Sequence, residues 1–529
     1  MKKFFLILCF STVKILHAQN CDPPAAYDSL DINNVNARIN NGGDMWCDLI
    51  HSPKYFVPQT ANASSIGTGA LWIGGLDAQG NLHVAAQTFR QNGNDFFPGP
   101  LDSGGNVTQQ TCSDFDRIWK VNMSTIDSFT AGLFATPPAT IEEWPGKGNP
   151  NLSFLPNQSL APFVDVNGDS VFNPANGDYP DIPGDQALWF VINDVGNIHG
   201  SGGAPLGIEV QCLFYAANDP ACIYSTTFYH YCVINKSQND YDSVFIGLFA
   251  DAGFGNYLDD YMGTDSANHL GVFYNGDTAG IGPVIAIQIL EGPMDDAGVI
   301  HYLDHSMIYY NDFSVIGNPE IAQDYYQYLQ SIWKDGTHLT YGGNGQGGLT
   351  NSNYVFSGDP SNPNGWSMCS TNAPFSDRRI IVSSGPFSLH SGQTKTFDAA
   401  VVWDNTSIYP CPSFTTIDSV ASCAKNYFDN NVSLCGIRNV SSRQQSATVF
   451  PNPVAASSVI NFSPKESSRT GKNFSRVEIF DLAGRKLFAS ETNENAILKV
   501  NSDRLGKGLF IYRITFNDHS SQAGKLVVQ

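Results

Sequence analysis

The chain reads as an all-β protein: a large antiparallel β-sandwich body with few short helices, then a second, smaller sandwich at the C-terminal end. Three observations predict this. Aromatic and β-branched runs such as Gln211-Cys-Leu-Phe-Tyr215 and Phe228-Tyr-His-Tyr-Cys-Val-Ile234 favour pleated structure. The runs are separated by turn-forming stretches, with 49 Gly and 29 Pro in 529 residues. The acids are lopsided as well. Of 42 in residues 19–445, only Glu142, Glu143, Glu209, Glu291 and Glu320 are Glu, and 37 are Asp. Asp favours turns and loop-borne cation ligation, whereas Glu favours helices.

Residues 1–18 read as a signal peptide: Lys2 and Lys3, an apolar run over residues 4–10, and a break after Ala18. The Ala-Gln-Asn before Cys21 is a poor lipidation site. No other stretch approaches the roughly eighteen apolar residues of a membrane span. The formal charge of −21 is uneven: residues 446–529 carry +4 and residues 19–445 carry −28. A field of that sign repels nucleic acid and anionic lipid. Ten cysteines follow the leader, some evenly spaced (Cys212, Cys222, Cys232; Cys411, Cys423, Cys435). None is a close C-x-x-C zinc pair, and export predicts two to five disulfides.

Taken in order, residues 31–43 are polar and turn-rich. Gly69-Ala-Leu-Trp-Ile-Gly-Gly75 and Leu82-His-Val-Ala-Ala-Gln-Thr-Phe89 are expected to pair through a turn at residues 77–80. Residues 114–129 are expected to contain a helix through Ile118-Trp-Lys-Val121. Residues 185–195, 208–215, 226–234 and 242–250 read as strands of one large sandwich. Residues 321–333 are the clearest helix, with Ile321, Tyr325, Leu329 and Ile332 down one side. Residues 337–364 are a Gly/Asn-rich loop, residues 379–383 and 396–403 strands, and residues 414–428 a helix. The expected division is a body at 19–435, with sub-domains at 19–160 and 161–435, a linker at 436–445 and a terminal domain at 446–529.

The terminal domain has about seven short apolar runs separated by polar turns, an immunoglobulin-like sandwich pattern. Its motifs are Phe450-Pro-Asn-Pro453, Val477-Glu-Ile-Phe-Asp-Leu-Ala-Gly484, Leu505-Gly-Lys-Gly-Leu-Phe510 and Lys525-Leu-Val-Val528. In that order they resemble the type A C-terminal sorting domain of the type IX (Por) secretion system of Bacteroidetes. Phe450 and Phe510 stand where that pattern usually has Tyr. The resemblance implies export across the outer membrane through the type IX machinery, to the medium or the cell surface. The body resembles a group of secreted Bacteroidetes proteins with no assigned activity. That likeness rests on Gly69 to Gly75, Asp95-Phe-Phe-Pro-Gly-Pro-Leu101, Asp165-Val-Asn-Gly-Asp169, Trp333-Lys-Asp-Gly336 and Ser384-Gly-Pro-Phe387.

The best candidate site is the loop that opens with Asp165. Asp165, Asn167 and Asp169 alternate on a tight turn, so their oxygens converge. Val171 would add a carbonyl and Asn173 a side-chain oxygen. This resembles the calcium loops of EF-hand and dockerin type. It departs from them at Ser170, where Gly is usual, and at Asn176, where Glu is; Asp178 is the expected replacement carboxylate. An all-oxygen shell suits structural calcium. A second, looser candidate is a Gly-rich loop with Asp251, Asp259, Asp260 and Asp265, expected to hold a metal or to rim a sugar site. His301 and His305 lie four apart in strand-like sequence, which argues against a shared metal. His230 stands beside Cys232, and both fit a strand core. No catalytic residue is assigned. Trp46, Phe96, Phe97, Trp144, Tyr257, Tyr261 and Trp366 fall in loops, where rings stack on sugars or plug a core. The expectation is a secreted or surface calcium-stabilised protein binding a glycan or protein. The alternative is a secreted hydrolase of polysaccharide or protein that uses Asp carboxylates.

Overall fold

The computed structural model describes residues 21–50, 52–86, 93–156, 158–218, 220–431, 447–455, 457–464, 474–481, 485–491, 498–516 and 521–529. The expected leader at 1–18, the expected linker at 436–445, Cys435 and most of the expected turn at 481–484 lie outside them.

The body is built from two nine-stranded sheets, and the strand pairings among the described residues are antiparallel. The first runs Tyr27–Leu30, Asn36–Asn40, Asp44–Met45, Ile66–Asp77, Tyr241–Ala252, Arg378–Leu389, His305–Tyr310, with Tyr55–Phe56 and Leu82–Ala86 alongside. The second runs Asp260–Asp265, Leu270–Asn275, Gly280–Glu291, Thr394–Tyr409, Thr227–Asn235, Ile208–Ala216, Gln186–Asn193, Phe97–Pro98, with Trp119–Asn122 beside Gln186–Asn193. The sheets stack, and their central strands are buried on both faces, as at Thr227–Asn235, where eight of nine residues are buried. One core runs from Leu30 to Phe428. Residues 19–160 and 161–435 each contribute strands to both sheets and side chains to the one core.

The expected hairpin forms between Ile66–Asp77 and Leu82–Ala86. The helix at 414–428 is present as Thr415–Asn431, with Ile417, Ala421, Ala424 and Phe428 turned inward. Three local readings are corrected. Ile118-Trp-Lys-Val121 is not helical: Trp119–Asn122 is a strand whose Trp119 packs on Trp189 at 5.5 Å. The expected helix at 321–333 is only Ala322–Tyr328, because Ser331 takes φ +55° and turns the chain back. Its buried residues are Asp324, Tyr325, Tyr326 and Tyr328, while Ile321 is exposed. The turn-rich stretch at 31–43 contains the strand Asn36–Asn40, where Asn hides an inward Ala37–Ile39 alternation.

Disulfides join Cys21 to Cys112, Cys222 to Cys423 and Cys369 to Cys411, and Cys232 is also disulfide-bonded. Cys212 is a buried free thiol, and the buried Cys47 sulfur lies 3.2 Å from the Thr68 hydroxyl. The terminal domain pairs a three-stranded sheet (Ala447–Phe450, Val459–Pro464, Leu498–Asn501) with a four-stranded one (Lys486–Glu491, Phe474–Phe480, Gly508–Phe516, Ser521–Val528). Its own core includes Val454, Ile460, Phe462, Val477, Ile479, Tyr512, Ile514 and Leu526.

Candidate functional site

The Asp165 loop folds as the sequence pattern requires. Gly168 and Ser170 take positive φ, which turns the backbone so that their N–H groups donate to the two oxygens of Asp165, each at 2.7 Å. Asp178 is fully buried and accepts from the N–H groups of Val166 and Asn173, each at 2.8 Å. Asp169 accepts from the Val171 N–H at 2.8 Å and the Asn167 amide at 2.8 Å. Burial raises the pKa of the Asp178 carboxyl, and the charges of Asp165 and Asp169 add to this. Three carboxylates therefore repel one another in one loop, and Val171 is exposed at its edge.

The second cluster differs from the expected loop. Asp251 ends the strand Tyr241–Ala252 of one sheet, and Asp260 opens the strand Asp260–Asp265 of the other. Asp259 sits beside them and accepts from Asn256 and Asn275. Asp265 lies at the far end of its strand, about 16 Å away at 3.3 Å per residue, beside Asp418. Asp277, Asp377, Arg378 and Arg379 join the group instead, and the sequence offered no signal for them because they come from other strand ends. Burial pushes Asp251 up to about 7 against the pull of Arg379, and Asp260 up to about 8. Among the described residues, no group of three or more His, Cys, Asp or Glu side chains converges as a metal site.

His301 and His305 do not act together. His301 Nδ1 meets Asp304 at 2.8 Å, while His305 opens a strand and is pushed down to about 4 by burial. His230 is more organised. Its Nδ1 is 2.6 Å from Asp398 on the neighbouring strand, and its Nε2 is 3.3 Å from Cys232 Sγ. The spacing is that of a nucleophilic Cys-His-Asp array, but the Cys232 sulfur is in a disulfide, so no thiol is there to activate.

The loop aromatics are mostly plugs. Trp46, Phe96, Phe97, Trp144, Tyr261 and Trp366 are buried, and of that set only Tyr257 is exposed. Trp46 enters the sandwich and donates its Nε1–H to the Tyr229 hydroxyl at 2.8 Å. Beside the second cluster stand rings that sequence reasoning passed over. Phe375 lies against Tyr261 at 5.6 Å, and Phe313 is two residues past Asn311, whose amide donates to Asp377. Both are exposed.

Fold and sites together define an antiparallel β-sandwich protein, disulfide-linked, with acidic loops at its sandwich ends. Residues 448–529 match the family described as the secretion system C-terminal sorting domain. The chain is thus a cargo of the Bacteroidetes type IX secretion system, exported and then secreted or surface-attached. No helix among the described residues is long and apolar enough to cross a membrane. No curated protein matches the chain. Among solved structures, a polysaccharide lyase aligns at 7% identity over 60% of this chain and 34% of that one, with a TM-score of 0.18. The adhesin domain of Epf from Streptococcus pyogenes aligns at 6% identity over 60% of this chain and 82% of that one, with a TM-score of 0.13. Overlays this distant carry no argument about function.

Proposed function

We propose that the exported protein is a calcium-stabilised binding protein of the cell surface or medium, and that its ligand is a glycan or a surface protein. The observation that carries this reading is the exposure of three rings, Tyr257, Phe313 and Phe375, on loops that also bear Asp and Asn. Flat rings stack on sugar faces while amides and carboxylates fix hydroxyls. Calcium in the Asp165 loop is supported by the mutual repulsion of Asp165, Asp169 and Asp178, which a divalent ion would relieve. Asn167, Asn173 and the Val171 carbonyl are the further oxygens it would use. The hydrolase alternative needs paired carboxylates open to substrate. Asp251 and Asp260, both with raised pKa, are only 8% and 2% exposed.

A glycan array run beside a hydrolase panel tests this on the purified protein. Binding to at least one glycan is expected, weakened about tenfold or more by Tyr257→Ala with Phe375→Ala. Turnover of any substrate that disappears on a single Asp→Asn change would sink it. Titration calorimetry with calcium tests the loop. Heat lost on Asp178→Asn is expected, and no heat with the parent protein removes the calcium claim.

A further inference from the structure

We propose that the Lys236 amine and the Gln158 carboxamide join in an intramolecular isopeptide bond, with the buried Glu209 as the proton carrier. The reaction is a self-modification of the body, separate from the acidic loops and from any ligand.

Three segments bring these groups together. Glu209 and Gln211 share one face of the strand Ile208–Ala216. The Gln211 amide donates to Glu209 Oε1 at 2.8 Å and to the Ser159 carbonyl at 3.1 Å, which holds the loop beside Gln158 against the strand. Lys236 follows the strand Thr227–Asn235, whose Ile234 stands opposite Glu209. Its N–H donates to the Gly207 carbonyl at 2.9 Å. Lys236 Nζ is 3.2 Å from Gln158 Oε1 and 3.5 Å from Glu209 Oε2. Gln158 Nε2 is 3.5 Å from that same Glu209 oxygen, which also accepts from the Leu101 N–H at 2.9 Å. The Glu209 side chain is 0% exposed and that of Lys236 21%.

A simple ion pair would draw the ammonium to about 2.7–2.9 Å from the carboxylate. Here the amine stands nearer to the amide, and one carboxylate oxygen faces both the attacking and the departing nitrogen. The carbon under attack lies one bond of about 1.2 Å beyond the contacted amide oxygen. Glu209 takes a proton from the Lys236 ammonium, a transfer that neutralises both charges and is favoured where water is excluded. The freed amine attacks the Gln158 carboxamide carbon, as lysine does in nucleophilic catalysis. The bond from that carbon to Lys236 Nζ forms and the bond to Nε2 breaks. Glu209 returns its proton to the departing nitrogen, and the second proton of the amine leaves with it as ammonium. A primary amide and an ammonium thus become a secondary amide and an ammonium ion, with no oxidant, cofactor or second substrate. Fixing both reactants in one fold supplies the proximity that such a reaction needs.

The bond would link residues 78 apart in sequence and fasten the Gln158 loop to the second sheet. Tandem mass spectrometry of a chymotryptic digest tests it on the full protein, reduced and alkylated so that no disulfide contributes. The parent is expected to yield a branched peptide joining Gln158 to Lys236, lighter than its two arms by one ammonia, about 17 Da. The branched peptide is expected to be absent from Lys236→Arg, which keeps the charge but supplies no lysine amine. It is also expected to fall at least tenfold in Glu209→Gln whose circular dichroism spectrum matches the parent's. Unlinked Gln158 and Lys236 peptides in full yield from the parent would overturn the proposal, whether or not the variants fold, and would mark the contact as an ion pair only. An undiminished branched peptide in Glu209→Gln would overturn it as well, because the proton carrier would then lie elsewhere.

Discussion

His230 and Asp398 face each other across neighbouring strands, buried in the second sheet and 2.6 Å apart. Burial works against the charged imidazole, yet the Asp398 carboxylate outweighs it and holds His230 above its usual range. Replacing Asp398 by Asn leaves that imidazolium without its counter-charge, a change that costs about 3–5 kcal/mol in buried pairs. The sign follows from the direction of the shift. The pair contributes fully below the ordinary histidine value of 6.5 and fades as pH rises through the elevated one. Urea unfolding of Asp398→Asn is therefore expected to show a larger deficit at pH 6 than at pH 9. A second residue, Gly69, is dictated by space. A Cβ there would stand 2.2 Å from the Trp46 ring. Gly69→Val is expected to destabilise by about 1–3 kcal/mol, read from the urea midpoint. The sequence pattern located both Trp46 and Gly69 but not their contact: Trp46 reads as a loop ring and is in fact a plug.

The helix Thr415–Asn431 lies against the second sheet, and Asp418 on it meets Asp265 carboxyl to carboxyl. Burial, then the contact with Asp265, pushes Asp418 up to about 7. The folded protein thus keeps a proton that the unfolded chain gives up near the ordinary 3.8. The contact is fully favourable below about pH 4 and is lost as pH rises toward 7. The melting temperature is expected to fall between pH 5 and pH 8 by more in the parent protein than in Asp418→Asn, followed by circular dichroism. The strands of this region also show where periodicity fails as a guide. Ile118-Trp-Lys-Val121 has helix-compatible spacing, and only the Trp119–Trp189 contact and its pairing to Gln186–Asn193 make it a strand. The shortened helix at Ala322–Tyr328 has the same cause: the inward docking of Trp333, whose Nε1–H donates to the Gly345 carbonyl at 3.0 Å, needs a turn where the apolar spacing alone would continue.

Among the described residues, the main apolar core of the body and that of residues 447–529 are separate. Removing residues 448–529 is expected to leave the body's thermal transition within a few degrees of the full protein's, by scanning calorimetry. In a type IX-competent host the same deletion is expected to abolish appearance at the surface or in the medium, by fractionation and immunoblotting. Export, antiparallel sheets and disulfide chemistry could all be read from composition, alternation and short terminal motifs. These are local properties, carried by neighbouring residues whatever the rest of the chain does. The Asp165 loop belongs with them, because Asp165 to Asp178 span fourteen residues and its turns are set by Gly168 and Ser170. The group around Asp251 and Asp260 does not. Asp251 and Asp260 are near in sequence, but one ends a strand of the first sheet and the other opens a strand of the second, and Asp377 and Arg379 come from a strand start more than a hundred residues later, so only the sheet pairing decides which charges are neighbours and which, like Asp265, are carried away.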